Sequence, residues 1–172
     1  MLRRLVDLIC VLVICAIAYG AVWMSKRGDR HADQVEATRA SVVQIQNELV
    51  LRSQSGRAAL NPRGWSETIV PAWFGGELPA NLLLDDDRPW MEIASVEQAE
   101  FEHPRPLFDV SGQDASFWYN PALGIVRARV PMLSTDAKTL DAYNTINGVN
   151  LGSISPTTGV VSTTASVDIG TD

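Results

Sequence analysis

The sequence predicts an α+β chain in which one long N-terminal helix, a transmembrane half followed by an extramembrane half, packs on a small antiparallel sheet. Three observations predict it. The chain opens on a sustained apolar run; no proline occurs before Pro62; and beyond Pro62 the apolar runs shorten and are broken by Pro, Gly and Asn. The expected division is 1–56 for the anchor and extended helix, 57–150 for a small α+β domain, and 151–172 for a Ser/Thr/Gly-rich tail or edge strand.

Residues 5–24 read LVDLICVLVICAIAYGAVWM, with one charge. At ~1.5 Å rise per residue this length spans the ~30 Å hydrocarbon core of a bilayer. Tyr19 and Trp23 near its far end suit the headgroup layer, and Arg3 with Arg4 marks the near end. The expectation is a single pass through the inner (cytoplasmic) membrane, N-terminus inside, with an extracytoplasmic domain, although Lys26, Arg27 and Arg30 compete with the N-terminal pair. A cleaved signal peptide is the rival reading, with Ala16, Ile17 and Ala18 or Ala18, Tyr19 and Gly20 as the small-residue site. Against it, the run exceeds the usual h-region and Asp7 interrupts its start.

Segment 32–52 is rich in Ala, Gln, Glu, Val and Leu, and Val35, Val42, Ile45 and Leu49 recur at helical spacing, so the helix is expected to continue to a stop at Gly56. The stripe reads as the face that packs on the domain's own sheet, since too few heptads are available for a coiled-coil seam. Gly28 and Asp29 are its weak point. Further on, Phe117, Trp118 and Tyr119, then Asn120-Pro121-Ala122-Leu123-Gly124, then IVRARV over 125–130, predict a β-hairpin with one wet face. WMEIASV over 90–96 and a shorter run over 107–110 predict further strands, giving an antiparallel sheet of three or four. Ser134, Thr135 and Asp136 start a second helix carrying Leu140, Tyr143 and Ile146, with a stop at Asn147 and Gly148. The end is either a tail or one last edge strand around 159–164.

Composition excludes several functions. In 172 residues the formal net charge is −6, which argues against a phosphate-binding surface and so against nucleic acid. Both cysteines, Cys10 and Cys15, fall in the apolar run, so neither staples the domain nor completes a multi-cysteine metal site. His31 sits on the juxtamembrane helix and His103 precedes Pro104, leaving a catalytic triad without a base. No enzyme activity and no cofactor are expected. Asp85, Asp86 and Asp87 offer oxygen ligands for Ca²⁺ but lack the alternating Asp spacing and glycine of a calcium loop, so a solvated turn is the ordinary reading. Trp65, Trp73 and Phe74 read as core aromatics, with Gly75 and Gly76 as a turn.

The opening Arg3-Arg4-Leu5-Val6-Asp7-Leu8-Ile9-Cys10-Val11-Leu12-Val13 resembles the N-terminal helix of type IV pilins and type II secretion pseudopilins, where one acidic residue interrupts an apolar start and Asp7 takes the matching position. The long proline-free helix before a small sheet is similar to the pilin architecture, and the FWYNP-(x)2-G-(x)-VRARV stretch over 117–130 resembles a hairpin of pilin-like proteins. The pattern departs from the family in that no Gly precedes Arg3, no Phe starts the segment, and the acidic residue is Asp instead of Glu. The resemblance implies a pilin-like structural subunit, with the membrane and other pilin-like subunits or secretion-system components as partners, and Asp7, Arg3 and Arg4 as association residues. The residues themselves leave two readings of Asp7 open: it stays wet or pairs with Arg3 or Arg4 on its own helix face, or it pairs with a cation on a neighbouring helix. The alternative function is a membrane-tethered extracytoplasmic binding module.

Overall fold

A computed structural model describes residues 2–110 and 112–154, and within the long first helix the side chains of 12–20, 23, 28 and 30–54. The proline-free opening forms one helix, α1 (Leu2–Gln54), which runs through Gly28 without interruption. It ends as the sequence predicts. Gly56 adopts a left-handed conformation (φ 66°) that an L-residue with a Cβ rarely takes, and the Arg57 N–H reaches back to the Arg52 carbonyl at 3.2 Å, closing the last turn.

The expected membrane-spanning half is overturned: among the described residues no helix is long and apolar enough to cross a membrane. By Arg30, His31 and Asp33 the helix is polar. The single-pass inner-membrane placement rested on the same expectation and goes with it.

The sheet is also corrected, from antiparallel to mixed. Strands β1 (Met91–Ile93), β3 (Phe117–Asn120) and β4 (Ile125–Ala128) lie in the order β1-β3-β4. The β3–β4 hairpin is antiparallel, Trp118 opposite Arg127, but β1 runs parallel to β3, Met91 beside Phe117. A second pair, β2 (Phe108–Asp109) with β5 (Val130–Pro131), is parallel too. The physical reason is the long excursion over 94–116 between β1 and β3. A crossover of a dozen or more residues allows parallel pairing, which a tight turn forbids. The run predicted as one strand over 125–130 breaks at Arg129, so that its two ends serve different sheets.

Helix α2 (Asp136–Asn147) starts where Thr135 Oγ1 accepts from the Lys138 N–H, and stops at Gly148. Val42, Ile45 and Leu49 of α1, Phe117 and Tyr119 of β3, Val126 and Ala128 of β4, and Ala142, Tyr143 and Ile146 of α2 form the buried core. The stripe on α1 therefore packs on the sheet and α2, with Val35 at its margin. Trp65, Trp73 and Phe74 pack around the core.

Among the described residues, outside which the edge strand expected around 159–164 lies, the free edge of β4 has no neighbouring strand, yet its backbone is satisfied. Gln46 of α1 donates from Nε2 to the Gly124 carbonyl (2.8 Å) and accepts at Oε1 from the Val126 N–H (3.1 Å). One step along, Asn147 of α2 accepts from the Ala128 N–H (2.8 Å) and donates to the Ala128 carbonyl (3.0 Å). Two carboxamides thus take the part of a missing strand and close an edge that would otherwise invite pairing with another chain.

Candidate functional site

Two regions present chemistry. The first is the N-terminal half of α1. The side chains of Arg3, Arg4 and Asp7 lie outside the described ones, so only their place in the opening turns of α1 is established. Beyond them Leu12, Val13, Ile14, Ile17 and Tyr19 are each more than half exposed, and Cys15 is exposed among them. These residues point in successive directions around the helix, so apolar surface surrounds this part of α1 instead of forming one stripe. The contrast with 38–53 is sharp: there Thr38, Val42, Ile45, Leu49 and Ser53 are buried at steps of four, three, four and four.

The second region is the sheet face turned away from α1. Tyr119 and Phe117 point to the core, so Trp118 and Asn120 point the other way, and the register sets Glu92, Trp118 and Arg127 in one row across three strands. Segment 98–106 covers this face. The Asn120 Nδ2 donates to the carbonyls of Gln98 (3.1 Å), Ala99 (3.0 Å) and Phe101 (2.8 Å), while its Oδ1 receives the Ala122 N–H. Farther along, His103 Nδ1 lies 3.1 Å from the Tyr143 hydroxyl, their rings edge to face.

The expected wet face of the hairpin is therefore largely covered. Arg129, read as an outward basic residue, is 2% exposed; its guanidinium meets Glu92 Oε2 at 2.6 Å and donates to the Ala115 carbonyl at 3.2 Å. Burial shifts the neighbours as well. It depresses the His103 imidazole below its ordinary value, with the Arg127 charge adding to that and Glu102 opposing it. Burial also lowers Arg127 and raises the phenols of Tyr143 and Tyr119.

Asp85, Asp86 and Asp87 are all exposed; the Asp85 carboxylate lies 4.0 Å from the Arg88 guanidinium, whose Nε donates to the Asp85 carbonyl at 2.9 Å. Among the described residues no three His, Cys, Asp or Glu side chains gather in a way that could hold a metal ion. Arg88 instead turns inward to Asp109, at 2.7 Å with both side chains buried. An open groove of about 330 Å³ lies at the end of the domain, lined by Pro62, Ala94, Val96, Ala99, Pro121 and Ala122 among others.

Sequence reasoning missed Gln46, Asn120, Arg129 and Asn147. Each makes its main tie to a part of the chain that its own neighbourhood does not reveal. The signal available was Asn120, a residue with strong turn chemistry placed directly before Pro121 at the end of an aromatic strand.

No family model, curated protein or solved structure matches this chain.

Proposed function

We propose that this chain is a non-enzymatic, pilin-like structural subunit that associates through its N-terminal helix with neighbouring subunits of an envelope or secretion assembly. The observation that carries the reading is the exposed apolar surface around α1 over residues 12–19. Contiguous apolar surface of this kind is costly in water and marks an interaction site. The other half of α1 is held rigidly by the domain, so covering residues 12–19 with helices of other subunits would fix each domain at a set distance from the bundle. The N-terminal likeness around Asp7 supports the same reading, since an acidic residue within an apolar helix can pair with a cation on its neighbour.

The chain supplies its own probe. Cys15 is exposed within the stretch, so oxidation of the full chain carrying Cys10→Ser is expected to give a disulfide-linked dimer. Ile14→Asp with Ile17→Asp is expected to abolish that dimer while leaving the domain folded. A cross-link that persists undiminished in the double variant would remove the basis of the proposal. Asp7→Asn is expected to weaken association in the same assay.

A second reading, a binding module, is favoured by the groove beside Val96, which is 87% exposed. Val96→Glu separates the two: it would abolish binding by a groove ligand and leave Cys15 cross-linking unchanged.

A further inference from the structure

We propose that segment 98–106 is a pH-sensitive strap over the outer face of the sheet, held closed by neutral His103 against Tyr143 and released when His103 takes up a proton. The segment is tied down at its start by the Asn120 carboxamide, at its end by a 3.4 Å contact from Arg129 Nε to the Pro106 carbonyl, and between them by an exposed Arg63 ion pair on Glu100 (2.9 Å) and by His103 on Tyr143. The His103 contact is the one fastening whose chemistry changes near neutral pH.

Closure is imperfect, and the imperfection lies underneath. Trp118 is fully buried, yet its Nε1–H has no hydrogen-bond partner; Arg127, its cross-strand neighbour in the same row, has a buried Nε–H without one. Water satisfies both donors once the strap lifts. Buried unpaired donors penalise the closed arrangement and bring the open one within reach.

Every charged or titratable group facing His103 bears on the direction. Tyr143 comes from α2, Arg127 from β4, and Glu102 from the strap itself. With Nδ1 unprotonated, the Tyr143 hydroxyl donates to it. An imidazolium can only donate there, so the hydroxyl must turn, and the new cation stands half-buried beside the Arg127 guanidinium with Glu102 alone to offset it. Burial and Arg127 together hold the imidazole below its ordinary value in the closed form. A group depressed on closure favours the closed form fully above its free value and withdraws that support as pH falls through the lower one. The strap is closed at neutral pH and opens in mild acid.

The test is amide hydrogen exchange on the full chain, corrected for the intrinsic pH dependence of exchange, at about pH 7.5 and about pH 5. Protection over 98–105 is expected to fall about tenfold, the size of one hydrogen bond's net contribution, while β3 stays protected. His103→Gln is expected to remove this pH dependence, and Glu102→Gln to move its midpoint to lower pH. Equal protection at both pH values in the unaltered chain, or an undiminished loss in His103→Gln, would overturn the proposal. Should His103→Gln not fold, the Glu102→Gln midpoint decides, and an unmoved midpoint overturns it.

Discussion

Asn147 commits its side chain entirely to backbone: it serves both the N–H and the carbonyl of Ala128 and also donates to the Tyr143 carbonyl, all within the protein interior. Asn147→Ala deletes these partners while the groups they served stay buried. Unsatisfied buried groups cost about 1–3 kcal/mol each, so a loss of about 3 kcal/mol is expected from urea denaturation, with an unchanged slope if the denatured state is unaffected. Gly124 is constrained in another way. It turns the hairpin at φ 66°, and the Trp65 indole occupies the space its Cβ would need. Gly124→Ala is therefore penalised twice, by backbone conformation and by collision, and should lose about 2 kcal/mol or more in the same measurement.

At the scale of elements, the two faces of α1 have opposite sensitivities. Ile45 is fully buried against the sheet, whereas Val43, two residues earlier, is half exposed on the other side. Ile45→Ala should cost about 3 kcal/mol, and Val43→Ala should stay within about 0.5 kcal/mol, as thermal or urea unfolding will show. This stripe was legible in the sequence because helical spacing is a local signal, and so were the Gly56 stop, the β3–β4 hairpin and the Thr135 start of α2, each written within a few residues. The parallel pairing of β1 with β3 was not legible. It depends on where the excursion over 94–116 returns, and neither strand is long enough to show its partner in its own pattern. The burial of Arg129 was hidden for a related reason: alternation in a strand tells which side chains share a face, but a loop arriving from elsewhere decides whether that face is wet. Arg3, Arg4 and Asp7 were expected as association residues from a resemblance in the local sequence, and their side chains lie outside the described ones.

For the whole molecule, acid weakens more than the strap. Burial alone would raise the Asp109 carboxyl, but the Arg88 hydrogen bond and charge outweigh it, helped by Asp114, and hold it below its ordinary value. A carboxyl depressed on folding stabilises above its free value and loses that contribution as pH falls through the lowered one. Stability should therefore decline below about pH 4, and Asp109→Asn should flatten that part of a stability-against-pH curve. The unbroken course of α1 has a consequence of its own. A continuous rod of 53 residues, about 80 Å long, couples azimuth to count: each added residue turns everything beyond it by about 100°. One alanine inserted after His31 would swing the domain to a different side of its neighbours, whereas seven would advance it by about 10 Å and restore its heading to within about 20°. If assembly depends on which way the domains face, the single insertion should abolish it and the sevenfold one should largely restore it, making α1 a phase-setting shaft whose length in residues is a compass bearing.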